Sequence, residues 1–129
     1  MELKHIKTKT EEYYKDEQGR MQGEYKWFYK NRNLYAHCFY KDDKRNGECK
    51  EFYESGNLSV QSFWKKGKRN GKYKRFYENG NLSVQCFCKD DKFNGKHKWF
   101  SENGKLIETK YYQNGINITS KVEKLRKWN

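Results

Sequence analysis

Proline is absent from the sequence. Nothing therefore interrupts a backbone ladder that needs every N–H group. Cysteine is scarce, at four residues, too few for a disulfide scaffold. Cys86 and Cys88 form a C-x-C pair with no second pair at metal-site spacing. No apolar run approaches the ~18 residues that cross a bilayer as a helix. Residues 1–10 carry charges but no apolar stretch of the secretory kind, so the expected location is intracellular and cytoplasmic. Asn-x-Ser/Thr triplets begin at Asn57, Asn81 and Asn117 and read as incidental in such a chain. Hydrophobic residues make up only 33%, which argues against a thick two-layer core. Aromatics are the exception to this thinness: 11 Tyr, 8 Phe and 4 Trp argue against a disordered chain. Acidic residues are outnumbered, 17 against 29 Lys plus Arg, leaving a formal charge of +12 on 129 residues. That length suits one domain.

The aromatics recur on a fixed step. Gly23, Gly47, Gly71 and Gly95 are 24 residues apart. The same step relates Phe28, Phe52, Phe76 and Phe100; Leu34, Leu58, Leu82 and Leu106; and Lys26, Lys50, Lys74 and Lys98. Phe39, Phe63, Phe87 and Tyr111 form a further series. Gly56, Gly80 and Gly104 form another, with Arg32 in its first slot. The chain thus reads as one repeat domain with units at 23–46, 47–70, 71–94 and 95–118. A degenerate lead-in strand at 10–22 precedes them, because Tyr13-Tyr14-Lys15-Asp16 resembles 39–42. It reaches its glycine two residues late, which predicts a longer or bulged turn there.

Each unit reads as two short strands, for example 73–78 and 82–89. Asn79-Gly80 separates them and predicts a type I′ turn, with positive φ at both central residues. Two turns in 24 residues leave no room for an ordinary helix. Alternation places Leu58, Val60, Ser62 and Trp64 on one stripe of a second strand, and Phe63 on the other face. In the first strand, Tyr73 and Arg75 alternate with Lys74 and Phe76. The expected fold is all-β: an elongated antiparallel meander of about eight strands plus the lead-in strand, with hairpins leaning on one another. A bulge is one way to bring both stripes to one side. At the C-terminus, a short cap helix is expected over 120–128. Ser120 is its N-cap, Glu123 the acid of a capping box, and Val122, Leu125 and Trp128 its apolar stripe.

The segment Gly71-Lys72-Tyr73-Lys74-Arg75-Phe76-Tyr77-Glu78-Asn79-Gly80-Asn81-Leu82 resembles the variant MORN repeat. So do Gly23, Tyr25, Phe28, Tyr29 and Leu34 in the first unit. Gly47, Phe52, Tyr53, Gly56 and Leu58 match in the second, and Gly95, Phe100, Asn103, Gly104 and Leu106 in the fourth. That variant is common in bacterial proteins labelled putative antitoxins of the YwqK type and in large DNA viruses of amoebae; a viral origin would place the protein in a host cell. The chain departs from the family at Asp42-Asp43 and Asp90-Asp91, where x-Gly is usual, and at Asn31-Arg32, where Asn-Gly is usual. The resemblance implies a hairpin-repeat fold and a scaffold or anionic-lipid role. It carries over no catalytic residue.

Two sets of residues are candidates for binding. The first is the ladder of Lys26, Lys50, Lys74 and Lys98, which two strands per unit would space by roughly 10 Å. It fits a solvated face that guards the sheet. It also fits a row that meets nucleic-acid phosphates, an anionic membrane or an acidic protein. The second set is Tyr25, Trp27, Tyr73, Arg75, Trp99 and Trp128, as core or as a recognition surface. Recurrence in every unit marks the Phe and Leu series as the structural repeat core. Reactive groups are dispersed: His5, His37 and His97 fall in different repeat contexts. Cys38 and Cys86 lie two units apart, roughly 20 Å by strand spacing. Cys49 takes the Tyr25 and Tyr73 position as a small buried hydrophobe. Asp42-Asp43 and Asp90-Asp91 read as turn acids just before turns. No metal, cofactor or enzymatic activity is expected. The favoured function is a basic, non-catalytic module for protein–protein interaction or self-assembly, including a homodimer through the final edge or the helix. Sequence-nonspecific nucleic-acid binding and anionic membrane association are the alternatives.

Overall fold

The computed structural model describes residues 2–127. Its strands form a single 14-stranded sheet whose paired neighbours are antiparallel. A leading hairpin, β1 (Lys4–Lys7) and β2 (Glu11–Lys15), is followed by four units. The first holds β3 (Gly23–Phe28), β4 (Leu34–Lys41) and β5 (Lys44–Arg45). The second holds β6 (Gly47–Phe52), β7 (Leu58–Lys65) and β8 (Lys68–Arg69). The third holds β9 (Gly71–Phe76), β10 (Leu82–Lys89) and β11 (Lys92–Phe93). The fourth holds β12 (Gly95–Phe100), β13 (Leu106–Gln113) and β14 (Ile116–Asn117), and α1 (Thr119–Lys127) comes after it. The eight long strands and the lead-in are those expected. The additions are β1 and the two-residue strands that fold back after each second strand.

The turns exchange roles relative to expectation. Gly80 has φ 90°, but Asn79 is not at positive φ. The Gly80 N–H donates to the Tyr77 carbonyl at 2.9 Å, and the Tyr77 N–H to the Asn81 carbonyl at 2.8 Å. This is a three-residue loop, a type I turn closed by a glycine bulge. Asn79 stays out of the left-handed region because its Oδ1 accepts the Asn81 N–H at 2.9 Å, a local bond typical of Asn in turns. Consecutive positive φ values occur instead at Asp42-Asp43 (50° and 68°), Lys66-Gly67, Asp90-Asp91 and Asn114-Gly115. The acid pairs therefore form the type I′ turns rather than preceding them. Their second members also bond outward: the Asp43 and Asp91 carboxylates accept the Met21 and Arg69 N–H groups at 2.8 and 2.7 Å.

A bulge breaks the expected leucine stripe. Leu82 lies opposite Phe76, but Val84 lies opposite Arg75, with Ser83 left over. The same shift recurs in the other three units. The extra residue moves Leu34, Leu58, Leu82 and Leu106 beside the Phe series and away from Val60 and Val84. These Phe residues are half-buried and Leu106 is 52% exposed. The buried apolar side chains are elsewhere: Tyr25, Ala36, Cys38, Cys49, Val60, Cys86 and Cys88. Apart from the Leu–Phe rows, they alternate onto the opposite face, where large rings lean over small residues. Tyr25 stacks on Tyr13 at 4.6 Å and on Trp27 at 4.0 Å between ring centres. His97 stacks on Trp99 at 4.1 Å. Each such pair contributes about 0.5–1.5 kcal/mol beyond area burial. Cys49 is buried as expected but is not merely a hydrophobe. It faces Cys38 across β4 and β6 with Cα atoms 4.2 Å apart, and the two form a disulfide. Burial pushes the free Cys86 thiol up to about 12.

The units are also tied by side chains. The Tyr29, Tyr53 and Tyr77 hydroxyls donate to the carbonyls of Phe52, Phe76 and Phe100, each at 2.6 Å. The Asn33, Asn57 and Asn81 amides donate to the carbonyls of Glu54, Glu78 and Glu102 at 2.7, 2.8 and 2.8 Å. In the last unit these positions are Ser101 and Lys105, and α1 rather than another hairpin comes after β14.

The capping box at Ser120 and Glu123 does not form. The helix starts one residue earlier, with the Val122 N–H on the Ile118 carbonyl at 3.1 Å. Asn117 Oδ1 accepts the Thr119 N–H at 3.0 Å, and Thr119 Oγ1 accepts the Tyr111 N–H at 2.9 Å. Tying Thr119 to β13 places the helix start before Ser120. Arg126 lies over the Tyr111 ring at 5.4 Å, Val122 is half-buried and Leu125 is 66% exposed. Trp128 lies outside the described residues.

The late glycine of the lead-in closes a turn organised by Asp16. The buried Asp16 carboxylate accepts the Gln18 and Arg20 N–H groups, Arg20 Nε and the Gln22 amide, all within 3.0 Å. The Gln22 amide, then the Arg20 bonds, hold its pKa down from 3.8 to about 2. A depressed carboxylate stabilises the fold fully above its ordinary value, and that contribution fades as pH falls through its folded value. We expect Tm to fall between about pH 4 and pH 2. Asp16→Asn should flatten that limb in a Tm-versus-pH series; an unchanged limb would assign the acid sensitivity elsewhere.

Candidate functional site

The registers place the lysine ladder on one face as a continuous row. Lys26 lies opposite His37, His37 opposite Lys50, Lys50 opposite Gln61 and Gln61 opposite Lys74. Gln85 then lies between Lys74 and Lys98, and Thr109 ends the row. Tyr25, Trp27, Tyr73, Arg75 and Trp99 alternate with these lysines and occupy the opposite face. The two candidate sets therefore cannot act on one surface.

The aromatic face is internally engaged. Trp64 lies between Arg45 and Arg69, whose guanidinium carbons are 4.9 and 5.4 Å from the ring centre. Arg69 also covers Tyr73 at 5.1 Å, and Arg75 Nε donates to the Tyr73 hydroxyl at 2.9 Å. Lys110 lies 5.7 Å from the Trp99 ring centre. These rings stack on neighbours or carry a cation, which leaves little free ring surface for nucleic-acid bases. Burial, then Lys110, lowers the pKa of His97.

On the lysine face, charge changes along the array. Lys26 lies 3.8 Å from Glu24 and Lys50 lies 3.5 Å from Glu48. Glu48 also accepts a bond from Gln61 at 2.7 Å. Twenty-four residues on, the position of Glu48 is Lys72, and then Lys96. Lys72, Lys74, Lys96 and Lys98 have no carboxylate within 4.0 Å among the described residues. Phe87 is opposite Lys72 and, continuing the β10–β12 register, beside Lys96. It is 42% exposed, whereas Phe39 and Phe63 are half-buried. Phe87 thus shares its face with four lysines that have no carboxylate within 4.0 Å among the described residues. Sequence reasoning singled out Lys74 and Lys98 but missed Lys72, Lys96 and Phe87. The signal was the Glu24, Glu48, Lys72, Lys96 series, visible once the units are aligned.

Reactive groups do not converge. Among the described residues, no three His, Cys, Asp or Glu side chains are placed to hold a metal ion. His5 pairs with Glu12 at 2.8 Å in the leading hairpin, while His37 and His97 lie on opposite faces. No described helix is long and apolar enough to cross a membrane. Near-identical hairpins joined edge to edge, with bonded ties between units, define a tandem hairpin-repeat fold of the scaffold type. The pattern of the MORN repeat variant matches residues 21–42, 45–66, 69–90 and 93–114, each match beginning two residues before a unit glycine. The chain belongs to the MORN-repeat family, and its architecture is consistent with protein–protein interaction. No curated protein matches it.

Proposed function

We propose that this chain is a non-catalytic repeat module that binds an acidic partner protein through the basic half of its lysine face. The supporting observation is the change from Glu24 and Glu48 to Lys72 and Lys96 around exposed Phe87. Such a patch supplies an apolar anchor and a positive field that steers an acidic surface toward it. An acidic toxin would be one such partner if the resemblance to antitoxin-type repeats extends to function.

The test uses the full chain and poly-glutamate as an acidic probe. Lys72→Glu with Lys96→Glu should weaken binding about tenfold or more at low salt, and the wild-type affinity should fall as salt rises. Equal binding by the double variant would sink the reading. Single-stranded DNA serves as the competing probe. Tighter binding to DNA than to poly-glutamate, with a linear dependence of log affinity on log salt, would favour the phosphate-binding alternative. Co-sedimentation with anionic vesicles tests the membrane alternative, and sedimentation of the chain alone tests self-assembly.

A further inference from the structure

The first unit has the acceptors of an interunit tie without its donors. In each later unit, a Phe carbonyl receives a tyrosine hydroxyl and a Glu carbonyl receives an asparagine amide. The equivalent acceptors in unit one are the carbonyls of Phe28 and Lys30. A 24-residue step back from Tyr29 and Asn33 falls on His5 and Lys9, but His5 lies within β1 opposite Tyr14 and neither supplies the donor. The leading hairpin turns early there, with the Thr8 N–H on the Glu11 carbonyl at 2.8 Å. Among the described residues, no side chain donates to either acceptor. The shortened turn leaves a groove of about 700 Å³ lined by residues including Lys7, Thr10, Phe28, Lys30 and Arg32.

Arg32 is a second, independent pointer. It holds φ 72° in the slot that is glycine in the other three units. Left-handed backbone is unfavourable for an arginine, and an outlier of this kind is commonly retained at a functional site. Here it places a guanidinium on the groove wall. Lys7, Lys9, Lys30 and Arg32 face only Glu12 as a carboxylate among the lining residues.

We infer that this groove binds an acidic, tyrosine-bearing turn of another protein. The tyrosine hydroxyl would donate to the Phe28 carbonyl as Tyr29 does to Phe52, and the carboxylates would meet Arg32 and the lysines. A second copy is poorly suited to supply that turn. Its Tyr29, Tyr53 and Tyr77 are engaged, and its last unit carries Ser101 and Lys105. The inference is independent of the Lys72 and Lys96 patch.

The test is titration of the full chain with a backbone-cyclised peptide carrying the 76–82 sequence, Phe-Tyr-Glu-Asn-Gly-Asn-Leu. Replacing its tyrosine by phenylalanine, or Arg32 by glycine in the protein, should each weaken binding about tenfold or more. Arg32→Gly should also raise Tm by roughly 3–6 °C, showing that the variant folds and that the native arginine is strained. Absence of peptide binding, equal affinity for either single change, or no rise in Tm would overturn the inference. A self-associated chain that the peptide dissociates would assign the groove to a second copy and also overturn it.

Discussion

Gly71→Ala is expected to destabilise the fold by roughly 2–4 kcal/mol, from a strained backbone combined with steric overlap. Gly71 holds φ 124°, which side chains other than glycine rarely adopt. An added Cβ would stand 3.3 Å from Phe63 Cβ, an atom fixed to the β7 backbone. Rotamer change cannot relieve that contact, so the β7 and β9 backbones must give by a few tenths of an ångström. Gly80→Ala is the control. Its φ is 90° and an added Cβ meets nothing within 4 Å, so the cost is backbone strain alone, roughly 1–2 kcal/mol. Urea unfolding of both variants measures the difference. Equal midpoints would show that Phe63 does not brace the second unit against the third.

Tyr53→Phe with Asn57→Ala should cost roughly 2–3 kcal/mol, about 1 kcal/mol per lost bond plus the penalty of leaving carbonyls short of a partner. The pair donates to the Phe76 and Glu78 carbonyls at 2.6 and 2.8 Å. In an array where units contact mainly their neighbours, weakening a central interface also weakens cooperativity between the halves. Hydrogen exchange should therefore report separate opening on either side of the 53–57 turn. The reverse substitutions in the last unit, Ser101→Tyr with Lys105→Asn, should change stability by less than about 0.5 kcal/mol, as expected for surface changes that gain no partner. A large effect there, or none at Tyr53 and Asn57, would refute the assigned role of these ties.

Much of the architecture was legible because repetition exposes it. The 24-residue step located the eight long strands, and Tyr13–Asp16 located the lead-in. Turn type was less legible. Asn-Gly favours positive φ, but Asn79 has an alternative local bond, while Asp and Lys can be held left-handed by a tight two-residue loop. The Phe and Leu series recurs without exception yet is at most half-buried, and Leu106 is exposed. Recurrence records that a position is used in every unit, not how far its neighbours cover it. The Cys38–Cys49 bond was similarly hidden, because sequence separation gives no interstrand register.

For the candidate sites, residue types and charges were readable, but their grouping was not. The sequence by itself determined the number of units, their strand character, the lysine series and the loss of Tyr and Asn donors in the last unit. It also contained the Glu-to-Lys change and the arginine in a glycine slot. Only the tertiary structure decided that lysines and recognition aromatics face opposite ways, that exposed Phe87 shares the lysine face, and that a shortened turn leaves a groove lined by Phe28, Lys30 and Arg32. The physical reason is strand geometry. Period-two alternation assigns faces only after bulges and register are known, and one extra residue per strand, as at Ser83, reassigns a side chain.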